Sequence, residues 1–82
     1  MKYDIWMEIG FGFEHVLKTA NTVMTEINNL CGDWVLVNGL HRIGCAYRVQ
    51  IEARPDYADK IKAEIVDPLG LKMEETRGFS AS

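Results

Sequence analysis

The hydrophobic period of this chain changes between residues 2 and 30, and that change limits the fold more than any other feature. Tyr3, Ile5, Met7 and Ile9 alternate with Lys2, Asp4, Trp6 and Glu8, the period-two pattern of a strand with one buried face. Trp6 falls on the polar face of that strand. From Phe13 the spacing becomes three and four: Phe13, Val16, Leu17, Ala20, Val23, Met24, Ile27 and Leu30 form one stripe, while His15, Lys18, Thr19, Thr22, Glu26 and Asn29 fill the other side. This is a long amphipathic helix, and Gly32 is a plausible stop for it because positive φ costs glycine little.

Trp34-Val-Leu-Val37 predicts a second strand. Cys45 to Ala53 predicts a third, with Cys45, Tyr47, Val49 and Ile51 on one face and Arg48, Gln50 and Glu52 on the other. Between them, Asn38-Gly39 is a tight-turn signal that would put Leu40 to Ile43 in the returning strand with Gly44 as a bulge. A longer loop ending at Gly44 fits as well, so the prediction is a hairpin without a fixed register. Asp56 is expected to cap a second helix with Asp59 in its first turn and with Ala58, Ile61 and Ile65 buried; Pro68 is expected to stop it. Leu71 and Met73 alternate with Lys72 and Glu74 as a short fourth strand. Residues 1–76 read as one domain and 77–82 as a loose tail.

Strand, helix, strand, strand, helix, strand resembles the split βαβ, or ferredoxin-like, plait. The resemblance is one of pattern. It implies an α+β fold in which right-handed crossovers place two helices on one face of a four-stranded antiparallel sheet ordered 4-1-3-2. Because that fold hosts unrelated functions, the site has to be argued from residues. The topology gathers Gly10, Gly12, Gly39, Gly44 and Gly70 at one rim, together with His15, Asn38, His41 and Arg42 as residues that a small ligand would meet.

Composition narrows the classes. With 48% hydrophobic and 26% charged residues, 82 residues suffice for one core. Twelve acidic against nine basic residues, a net charge of −3, makes nucleic-acid binding an unfavourable reading. An aspartate interrupts the first residues, where a signal peptide needs an apolar run, and no stretch approaches a membrane span; the expected location is cytoplasmic with no membrane partner. In that reduced setting Cys31 and Cys45 are expected to be small buried hydrophobes.

Several chemistries fail on spacing. Glu8-Ile-Gly-Phe-Gly-Phe-Glu-His15 looks like a nucleotide loop, yet a dinucleotide fingerprint needs a third glycine where His15 stands and a parallel sheet besides. With Gly12 as N-cap, Glu14 occupies the favourable field at the helix start that a phosphate would use, and Phe11 with Val16 makes a hydrophobic staple. A four-ligand zinc site is excluded because His15 and Cys31 stand about 24 Å apart along one helix. His15, His41 and Cys45 are a weaker three-ligand set that depends on the hairpin register, so no metal and no cofactor is expected. Cys45 has His41 nearby but sits on an inner face, where thiols are inert. Acylphosphatases share the plait and use a loop arginine that Gly10-Phe-Gly-Phe13 lacks.

What remains is the face of the sheet opposite the helices. It should carry Asp4, Trp6 and Glu8 on strand one beside Arg48 and Gln50 on strand three. RNA-recognition domains stack bases on this face, but strand three here offers Ala46, Arg48 and Gln50 in place of aromatic rings. The expected function is a noncatalytic interaction or regulatory module working through that face, on a protein partner or by self-association, with Trp6 and Arg48 as anchors. The alternatives are a small-ligand or metal-binding domain at the glycine rim, and a compact inhibitor that occludes a larger machine.

Overall fold

The computed structural model describes residues 1–8, 12–44 and 46–76, the side chain of residue 8 excepted. Ile9, Gly10, Phe11, Cys45 and the 77–82 tail lie outside these residues, and with them the Phe11–Val16 staple and the role expected of Cys45. The elements are β1 (Lys2–Glu8), α1 (Phe13–Cys31), β2 (Leu36–Ile43), β3 (Ala46–Glu52), α2 (Pro55–Ile61) continuing as a π-helical turn (Lys62–Val66), and β4 (Lys72–Glu75). The strands form an open antiparallel sheet in the order β2-β3-β1-β4, so the α+β class and the strand order agree with the period changes in the sequence.

Alternation in β1 and β3 explains the core. Ile5, Met7, Val49 and Ile51 turn to one side of the sheet and join Val16, Ala20, Val23, Ile27 and Cys31 of α1 and Ile61, Ile65 and Val66 of the second helical segment in one cluster. Burying each such aliphatic side chain contributes about 1.5–3 kcal/mol against chain entropy. Both helices therefore cover the same face and leave the other open.

Four local expectations are corrected. The turn expected at Asn38-Gly39 is not a turn: both residues lie inside β2, where the register slips between Val37 and Gly39. Gly39 takes φ 104°, conformationally open to glycine, and the bulge sets Val37 opposite Ile51 and Leu40 opposite Val49 on the helix side. Without that extra residue Leu40 would face away from the core, so packing outweighed the turn signal. Ile43 pairs with Ala46 instead, and the strands reverse at Gly44.

Trp34 does not begin β2. A 3-10 turn, Gly32–Trp34, follows α1, and Trp34 stacks on Tyr57 with ring centroids 6.3 Å apart. Next, α2 starts two residues early, with Arg54 in place of Asp56 at the cap and Pro55 in the first helical position, where its missing N–H is no loss.

Finally, the helical segment ends at Val66, before Pro68 as expected, but not by the expected route through a non-helical residue 67. Asp67 keeps helical dihedrals (φ −63°, ψ −45°), and its amide bonds back five residues to the Lys62 carbonyl. Sliding the ladder from four to five residues absorbs the proline that a regular turn would reject. Leu71 N–H then donates to Val66 and Gly70 N–H to Asp67, a Schellman pair with Gly70 at positive φ, which turns the chain into β4.

Candidate functional site

The open face is built by pairing. Met1 and Ala53 exchange both backbone hydrogen bonds, so the even residues of β1 fall in the non-bonded pairs with β3, whose side chains stand closest. Those pairs are Lys2 with Glu52, Asp4 with Gln50 and Trp6 with Arg48. Extending the registers across all four strands gives two central rows: Gly39, Gln50, Asp4 and Glu74, then His41, Arg48, Trp6 and Lys72. Leu36 and Ile43 stand on the same face at the two ends of β2, 57% and 45% exposed.

Asp4 is the structural centre of this face. It is only 5% exposed, although both helices pack on the other side. One carboxylate oxygen accepts from Arg48 Nη1 at 3.2 Å and the other from Gln50 Nε2 at 3.4 Å, while Gln50 Oε1 accepts from Asn38 Nδ2 at 3.4 Å. The network ties β1, β3 and β2 together and holds Arg48 in one orientation. Lys2 and Glu52 add an exposed ion pair at 3.6 Å. Trp6 Nε1 and Arg48 Nε are buried without an acceptor among the described residues. Unmade bonds of this kind cost about 1–3 kcal/mol each.

Of the residues expected on this face, Asp4, Trp6, Arg48 and Gln50 come together there. Glu8 is placed beside Ala46 by the register, and its side chain is outside the described residues. The residues expected at a ligand rim do not gather. Asn38 belongs to the Asp4 network, His41 lies in the row with Arg48 and Trp6, and Arg42 bonds its Nε–H to the Gly44 carbonyl at 3.2 Å. His15 lies on α1. Lys72, Glu74, Leu36 and Ile43 were not anticipated as face residues. The polar alternation of β4 signalled the first two; the β2 pair was hidden by the bulge.

His15 lines a cavity of about 450 Å³. β4 pairs with β1 only as far as Trp6, so beyond that point the turn leading into β4 stands off from α1 and leaves a wedge. Met7, Val16, Leu69 and Leu71 supply apolar walls, and Thr19 and Lys72 polar ones. The volume falls in the range of about 300–1,000 Å³ typical of ligand pockets.

Burial pushes the Cys31 thiol up from its ordinary pKa, with Lys60 opposing and Glu64 adding, which suits packing and not nucleophilic attack. Among the described residues no three His, Cys, Asp or Glu side chains gather as metal ligands, and no helix is long and apolar enough to cross a membrane. No protein-family model, curated protein or solved structure matches the chain.

Proposed function

We propose that this chain is a noncatalytic interaction or regulatory module, a ferredoxin-like plait whose working surface is the open face of its sheet and whose partner is a protein. The observation that carries the reading is Asp4. A carboxylate sealed from water on the side that no helix covers costs desolvation, and it is held by donors from β3. Its effect is to fix Arg48 and Gln50 before any partner arrives, which lowers the entropy lost on binding. Trp6 and Arg48, the side-chain types that anchor interfaces, stand side by side in the adjacent row. The face carries charges of both signs, which favours a protein over nucleic acid or an anionic membrane.

The test is Trp6→Ala in cells that express the protein. The wild-type chain in a fresh extract should sediment as a species larger than a monomer, and the variant as a monomer with an unchanged circular dichroism spectrum. Equal sedimentation of the two would remove the face from the account.

A second reading rests on the cavity between α1 and the turn into β4. Its apolar walls with Lys72 and Thr19 fit a small amphipathic anion. Such a ligand would raise the unfolding temperature, by an amount that grows with the logarithm of its concentration over its dissociation constant. A screen of carboxylates with apolar bodies that gives no shift at millimolar concentration would dispose of it.

A further inference from the structure

We infer that the occupant of the open face is a second copy of this chain, docked face to face about a two-fold axis that runs along the cross-strand rows. The inference rests on the face being the working surface and goes further by naming what covers it.

The argument is one of self-complementarity. The rows alternate in character. One holds the acids Asp4 and Glu74, and the next holds Arg48 and Lys72. A two-fold axis lying between these rows, parallel to them, sets each row of one copy over the other row of its mate and keeps every strand position. Lys72 then faces Glu74 of the second copy, and Glu74 faces its Lys72. Among the described residues neither side chain has an ion pair within its own chain. At the other edge the same axis sets Leu36 over Ile43 of the second copy, covering two exposed apolar side chains on each subunit. Near the axis Arg48 faces Gln50 of the second copy, and Trp6 lies opposite the row of Asp4 and Glu74.

The alternative two-fold, along the strands, is much poorer. It sets Lys72 over His41 and Glu74 over Gly39, so charges are desolvated without partners. Isologous contacts repeat each pairing twice, which is why one residue pair per subunit weighs double.

Size sets the strength. Four strands at about 4.8 Å spacing and seven residues at about 3.4 Å rise give a footprint of roughly 19 by 24 Å on each copy. Both copies together bury roughly 900 Å², below the about 1,200 Å² at which stable interfaces begin. The dimer is therefore weak and concentration-dependent, and twisted sheets packed at about 30° make their best contact in the central rows.

Sedimentation equilibrium of the purified full chain, from about ten micromolar to one millimolar, tests this with charge exchange. The wild type should pass from monomer to dimer across that range. Lys72→Glu alone and Glu74→Lys alone should each weaken dimerisation at least tenfold, because each turns two contacts repulsive. An equimolar mixture of the two variants should regain the wild-type constant, since every contact in the mixed dimer again joins opposite charges. A wild-type monomer at one millimolar, or a dimer indifferent to both substitutions, overturns the inference. If the chain alone is monomeric while Trp6→Ala still releases it from a larger species in extract, the working face stands and only its occupant is wrong.

Discussion

Replacing Asp4 by alanine probes the network that gives the open face its shape. The substitution removes two bonds to a carboxylate, one from Arg48 and one from Gln50, of a kind worth about 1.5–3 kcal/mol each, the Gln50 bond at 3.4 Å being the longer and weaker. The Arg48 side chain is 24% exposed, so its freed guanidinium regains part of its hydration and the net loss is about 2–3 kcal/mol. Arg48→Ala should cost more, about 3–5 kcal/mol, because it strands the Asp4 carboxylate, whose side chain is only 7% exposed. The double variant should cost clearly less than the two single losses added together. Urea unfolding reads all three: the midpoint should fall, with the slope unchanged if the native and unfolded states keep their compactness. A loss below about 0.5 kcal/mol for Asp4→Ala, or a larger loss for Asp4→Ala than for Arg48→Ala, would refute the reasoning that the aspartate is the buried member and the arginine the solvated one.

Other perturbations test the scaffold. Ile27→Ala, at a fully buried position on α1, should destabilise by about 2–5 kcal/mol in the same unfolding experiment. Gly39→Ala should cost about 1–2 kcal/mol from its φ of 104° alone, since a Cβ there meets nothing within 4 Å; a neutral result would show that the bulge is not held in that conformation. Cys31 should resist alkylation at neutral pH and react only as fast as the chain opens. Its raised pKa also sets a sign: the protonated thiol is favoured in the native state, so this contribution is whole below the unfolded-chain value of about 8.5 and declines as pH rises above it. Cys31→Ala should reduce the alkaline loss of stability measured between pH 8 and 10.

Elements with an undisturbed period were legible without coordinates. The alternation in β1 and β3 and the three-four spacing of α1 reflect one buried face each, and most of the core comes from those patterns, but Phe13 and Leu17, expected in the α1 stripe, are exposed at its edge. Legibility failed where a single extra residue or turn altered the period. The bulge at Asn38 and Gly39 resets the faces of β2, so a turn signal was read inside a strand, and Leu36 and Ile43 were not recognised as neighbours on the open face. The π-helical turn before Pro68 is likewise a tertiary solution to a local conflict, since Ile65 and Val66 remain buried by carrying the helical path on. Asp4, Trp6, Arg48 and Gln50 were legible as face residues because they alternate with core positions. Burial of Asp4 was not, because it depends on donors from another strand, placed 44 and 46 residues away in sequence.

The most direct test of the working face is amine labelling of the purified intact chain, once at about ten micromolar and once at about one millimolar. Lys72 lies on the open face, whereas Lys18, Lys60 and Lys62 are exposed on the helical segments. Lys72 should react markedly more slowly at the higher concentration, with the helical lysines unchanged. Equal labelling of Lys72 in both, or protection of Lys18 in its place, would contradict an account that puts the partner on the open sheet.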